Sequence, residues 1–239
     1  MPAYRLSGII LLPLLMMMVV SCAQPPAKKD SPRSGTFTLK SIAKTDIDSV
    51  LDIHIREMRA YLRELMVKLY KRNPRELHKS RISNIDTSLE RLFNRKHDWK
   101  FDELDHKKGV DAIYLAFDEN FQGDRVFAFM TGLTSMIMSA YGDKDEFFIL
   151  DKVDPQKLYN SARNIEIAVW KLGHERDSNG ELFIYSNSLP GETLNLSYER
   201  LFGKMIATQD NIAIVIAGTT NRVIKTVIQR MATAVFLPI

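Results

Sequence analysis

Apolar residues recur at helical intervals along most of the chain. Leu51, Ile55, Met58, Leu62, Leu65 and Leu69 follow one another at spacings of three and four, which predicts one helix from Asp46 to Arg72. Thr45 or Asp46 can cap its start, and Asn73-Pro74 stops it, because a proline excludes the α region at the residue before it. His54 falls beside the apolar seam, as a packing residue at its boundary. A second helix is expected from Asn84 to Phe93, with Ile85, Leu89, Leu92 and Phe93 on one side. Asn94 to Lys108 is charged and irregular, and Val110 to Phe117 favours a short helix over a strand.

From Arg125 to Asp143 the interior residues carry no charge on any face, which suits a helix at the centre of a bundle. Its hydroxyls and length argue against a membrane span, and Gly132 suggests close approach to a neighbouring helix. The next helix is punctuated by Asp154, Pro155 and Gly173, with Leu158, Ala162, Ile165, Val169 and Leu172 as its face. Leu182 to Tyr185 reads as a lone short strand or hairpin arm, and Leu196 to Ala207 as a helix. Asn211 to Gly218 is an apolar run that periodicity leaves open between strand and helix. Val223, Ile224, Val227, Ile228, Met231 and Val235 predict a last helix. The expected fold is mainly α, a single bundle-like domain over residues 37–239. An α+β arrangement with one or two short strands is its rival.

The N-terminus departs from this pattern. Arg5 precedes an uncharged run from Leu6 to Val20, 15 residues long and broken by Pro13. That is shorter than the ~20 residues that cross a bilayer. A short apolar run behind a positive start is an export signal, excluded from the fold. Val19-Val20-Ser21-Cys22 then resembles the lipobox of bacterial lipoproteins. The resemblance implies cleavage between Ser21 and Cys22 and lipid attachment at Cys22, the chain's single cysteine. Residues 1–21 would be the signal peptide. Residues 22–36, rich in Pro, Ser and charge, would follow as a lipidated cysteine and a flexible tether. Ala23 and Gln24 lack the Asp that favours inner-membrane retention in such lipoproteins. The expected address is therefore the outer membrane, facing the periplasm, with the periplasmic face of the inner membrane as the alternative.

The net charge of +4 is unevenly distributed. Ala23 to Arg81 holds 14 Lys and Arg against 7 Asp and Glu, whereas Ile82 to Ile239 holds 18 against 22. The basic excess peaks between Lys68 and Arg81. It could rest on anionic headgroups, pair with the acidic half, or remain a solvated face. An exported, tethered domain makes nucleic acid an improbable partner despite the basic pI.

Catalytic signatures are sparse. The single cysteine is assigned to lipid, and the sequence contains no Gly-x-Ser-x-Gly elbow and no phosphate-cradling glycine loop. His97-Asp98 and Asp102-Glu103-Leu104-Asp105-His106 bring metal-capable groups together without a recognised ligand spacing, so they read as a solvated loop. No metal and no cofactor are expected. Gly173-His174-Glu175-Arg176-Asp177, Gly180, and then Asn195-Leu196-Ser197 with Arg200, resemble the signature of OmpA-like peptidoglycan-binding domains. That resemblance implies peptide-stem contacts at Asp177 and Arg200. Glu175 and the extra Arg176 depart from it, and the spacing to Arg200 is too long. The leading expectation is a non-enzymatic accessory or scaffold lipoprotein of the envelope with an envelope-protein partner. A carrier of lipid or another small apolar molecule, using the helix at 126–141 to line a cavity, is the alternative. Peptidoglycan binding is the third reading.

Overall fold

In a computed structural model, residues 46–80, 84–148, 151–189 and 191–239 are described. The expected signal peptide, Ser21, Cys22 and the expected tether lie outside the described residues. Seven α-helices follow in order: α1 Asp46–Arg72, α2 Pro74–Lys79, α3 Ile85–Phe93, α4 Gly109–Ala116, α5 Arg125–Ala140, α6 Pro155–His174 and α7 Ser197–Thr220. No strand is present among the described residues, so the fold is mainly α.

Helix α1 forms as its pattern requires. Every residue of the predicted seam is buried. Asp46 and Asp48 occupy its first turn and Lys71 and Arg72 its last, each complementing the helix dipole. Asn73 and Pro74 interrupt it without ending helical structure, since α2 starts at Pro74, where the missing N–H costs nothing. Asn84 caps α3 by accepting from the Thr87 amide, and Asp154 caps α6 by accepting from the Gln156 amide.

Helix α5 occupies the centre. All its residues except Ser139 are buried, and it packs against α4, α1 and α6, while α6 and α7 form a second pair. The approach of α4 to α5 depends on Gly132: a Cβ there would lie 2.6 Å from the Gly109 carbonyl oxygen and from the Ile113 amide nitrogen. Ser135 fixes the same crossing by accepting from the Gly109 amide at 2.7 Å. No described helix is long and apolar enough to cross a membrane.

Three segments differ from the sequence-based expectation. Leu182–Tyr185 is not a strand, since only one bridge joins Arg176 to Leu182. The backbone of Tyr185 is instead satisfied by Asn73, whose carboxamide accepts from its N–H at 2.8 Å and donates to its C=O at 2.7 Å. Leu196–Ala207 and the ambiguous run at 211–218 join into one helix, α7, and α6 runs one residue past Gly173 to His174. The helix expected over Val223–Val235 does not form. Asn221, left-handed at φ 51°, closes α7, and residues 222–239 continue without regular structure except for a 3-10 turn at Met231–Thr233. Val223, Ile224, Thr226, Val227 and Ile228 are β-branched and resist the helix their spacing mimics. The backbone of this segment is held by side chains of α6.

Candidate functional site

Helix α6 presents Gln156, Asn160 and Asn164, four residues apart and therefore in one row. Gln156 accepts from the Lys225 amide at 2.7 Å and donates to the Lys225 carbonyl at 3.1 Å. Asn160 donates to the Pro238 carbonyl at 2.8 Å. Asn164 accepts from the Leu237 amide at 2.6 Å and donates to its carbonyl at 2.8 Å. Tyr159 accepts from the Val227 amide at 3.1 Å. Within the segment, Gln229 pairs in the same two-point way with the backbone of Val235. A carboxamide offers one donor and one acceptor side by side, matching the N–H and C=O of one extended residue. The row therefore grips polypeptide by its backbone, with little demand on side-chain identity.

The side chains of the held segment divide in consequence. Ile224, Phe236 and Ile239 pack against the core, Phe236 edge-on to Tyr114. Val223, Ile228 and Val235 face solvent at 89%, 99% and 66% exposure. Beneath the turn at 227–231 lies a cavity of about 220 Å³ beside Arg163, whose guanidinium reaches Asp210 and Glu166 while its buried Nε has no partner.

A second, larger cleft, about 590 Å³, opens between α3, the loop after it and the end of α5. Its loop wall turns left-handed at Asp98 and Trp99, with φ 48° and 60°, a costly conformation for a bulky side chain. His97 tilts against both Trp99 and Phe101. Both His97 ring nitrogens are occupied, one by the Leu92 carbonyl and one by the Trp99 amide. Arg59 bridges Asp145 and the Phe93 carbonyl, and the Trp99 indole donates to Asp143 at 3.3 Å. Lys108 and Asp143 also border a neighbouring, more apolar cleft of about 460 Å³, lined by Val110, Met136, Phe236, Leu237 and Ile239.

The most perturbed acid lies away from both clefts. Burial pushes the Asp124 carboxyl up to about 6, against hydrogen bonds from the Phe127 amide and the Tyr70 hydroxyl that favour its charged form. The Tyr70 hydroxyl is itself raised well above its usual value, first by burial and then by Asp124. Asp124 caps α5 from within the protein and is structural.

Asp177 and Arg200 share no hydrogen bond or ion pair among the described residues. The Asp177 carboxylate accepts from the amides of Asn179 and Glu181 in its own loop, which holds its pKa below the ordinary value. Arg200 stands on the first turn of α7 and lines a shallow groove with Glu64, Lys68 and Lys204. In the acidic loop, His106 approaches only Asp102, at 3.6 Å, and no group of three metal-capable side chains occurs among the described residues. The basic cluster is partly spent on the protein itself: Arg72 pairs with Glu192 and Lys79 with Glu76, and Lys68 donates to Ser197.

The α6 row is absent from the sequence-based expectations. Its signal was two asparagines four apart in the interior of an expected helix, where asparagine is a poor helix former without a partner for its side chain. Comparison with protein family models, with curated proteins and with solved structures gives no match for this chain.

Proposed function

We propose that this chain is an exported lipoprotein, lipid-anchored through Cys22 to the outer membrane and facing the periplasm, whose helical domain is a non-enzymatic accessory or scaffold of the envelope. One observation carries the accessory role. Residues 222–239 are fastened through their backbone while aliphatic side chains such as Ile228 remain in solvent, an arrangement that displays a surface. The lipobox residues support the anchor. Two or more acyl chains hold a protein stably where one is marginal. Helix α1 carries Lys71 and Arg72 of the basic cluster in its last turn.

In-cell crosslinking of the tagged full-length protein, combined with palmitate labelling, tests both halves. Label retained by wild type and lost in Cys22→Ser, together with one stoichiometric protein partner, is the expected result. Unlabelled wild type removes the anchor, and a purified domain that turns over a substrate removes the accessory role. The carrier reading keeps one specific observation, the 460 Å³ cleft lined by Val110, Met136 and Phe236. The residues of α5 expected to line a cavity, among them Phe127, Phe129 and Leu133, instead fill the core. Native mass spectrometry decides: a protein that always flies without bound lipid ends that reading.

A further inference from the structure

The held segment has two edges, and only one is used. Lys225 and Val227 direct their backbone groups to Gln156 and Tyr159. In extended chain, N–H and C=O groups of successive residues point to opposite edges. Ile224, Thr226 and Ile228 make no hydrogen bond through their backbone among the described residues, so bonded and unbonded residues alternate as they do in an extended chain with one edge on α6. The stretch Val223-Ile224-Lys225-Thr226-Val227-Ile228 is rich in β-branched residues that suit a strand. An open edge of this composition is a template for another chain.

We propose that residues 223–229 are a docking edge at which an extended, acidic and apolar segment of another protein adds as a β-strand. The inference rests on the accessory reading above and names the partner's chemistry. Charge selects the occupant. Arg222, Lys225 and Arg230 flank or interrupt the edge, and residues 221–239 contain no Asp or Glu. Lys225 and Arg230 make no ion pair among the described residues, and Arg222 only approaches Asp154, at 3.8 Å. A second copy is a poor partner, because antiparallel pairing about Thr226 would set Arg222 opposite the copy's Arg230, and like charges across a strand pair repel. A strand that alternates Glu or Asp with aliphatic residues would set acids opposite Lys225 on one face and cover Ile228 with aliphatic side chains on the other. Main-chain bonds supply affinity in this mode and alternate side chains supply selectivity.

The test uses the full-length protein in detergent and two short synthetic peptides, one alternating Val with Glu and the other Val with Lys. The Val/Glu peptide should slow amide exchange at Ile224, Thr226 and Ile228 and bind at least about tenfold tighter than the Val/Lys peptide, less tightly as salt rises. Thr226→Pro removes one outward N–H and leaves the α6-facing amides of Lys225 and Val227 in place, so it should weaken binding about tenfold. Lys225→Glu, which alters an exposed side chain without a partner, should shift preference toward the Val/Lys peptide. Equal binding of both peptides, or binding without protection of those three amides, overturns the proposal. A photocrosslinker at Ile228, compared with one at exposed Ile214 on α7, separates it from the wider reading. A partner captured at Ile214 alone overturns the edge and leaves the accessory role standing, whereas capture at neither position removes both.

Discussion

Helix α5 and segment 222–239 are both rich in apolar residues, yet the protein treats them in opposite ways. In α5 the backbone satisfies itself within the helix, so every side chain is free to enter the core. In 222–239 the backbone is held at Lys225, Leu237 and Pro238 by α6 carboxamides, and half of the large aliphatic side chains are left in water. Apolar content decides that a segment is worth burying. Where its N–H and C=O groups find partners decides whether it can be. The two regions should therefore fail differently: α5 through packing volume, and 222–239 through loss of a few hydrogen bonds.

Gly132→Val should have the largest effect. The new side chain would meet the backbone of Gly109 and Ile113, which cannot rotate aside, so α4 must separate from α5. The expected loss is about 3 kcal/mol in denaturant unfolding, the upper end of what overpacking usually costs. A variant as stable as wild type would show that the α4–α5 crossing is adjustable.

The charge at the head of α5 comes next. Because the folded-state pKa of Asp124 is raised, to about 6 from 3.8, the folded protein binds its proton more tightly than the unfolded chain does. Stability contributed by this group therefore rises as pH falls through 6 and is complete below 3.8. It is absent above 6, where an ionised carboxylate is buried. The interval corresponds to about 3 kcal/mol at most. Asp124→Asn keeps an oxygen for the Phe127 amide and an N–H for Tyr70, so it should flatten the pH dependence between 4 and 7 by up to that amount. Urea midpoints at both pH values measure it, and an unchanged slope would place the effect on other groups.

The same contrast explains what could be read in the sequence. The seam of α1, the uncharged sweep of α5 and the capped start of α6 each express one helix with one period, and all three formed where expected. Residues 223–235 show a helical spacing by coincidence of apolar positions. Their β-branching weighed against it, but the deciding partners, Gln156, Tyr159 and Asn164, lie about 70 residues earlier in the chain. Tyr185 is alike: its strand-like run is paired with Asn73, 112 residues away. Side-chain-to-backbone bonds of this reach leave no periodic trace, which is why the clamp was illegible while the core was not. Asp177 and Arg200, where the peptidoglycan-binding resemblance falls, lie in a loop and on α7, with no sheet between them among the described residues.

The smallest effects distinguish backbone from side chain within the segment itself. Asn164→Ala leaves the Leu237 N–H and C=O without their partner, and the Asn164 side chain is fully buried, so no water replaces it cheaply. The cost should be about 2 kcal/mol, taken locally, as faster amide exchange and protease cutting across 222–239. Helices α1 and α5 should keep their protection, because neither depends on that pair. Ile228→Ser changes a side chain 99% exposed that touches no core residue, and should stay within about 0.5 kcal/mol of wild type. If Ile228→Ser instead loosened the segment as much as Asn164→Ala, its side chains and not its backbone would be what α6 holds. If neither did, segment 222–239 would owe its place to Ile224, Phe236 and Ile239 packing on the core, and the carboxamide row would be a consequence of that docking.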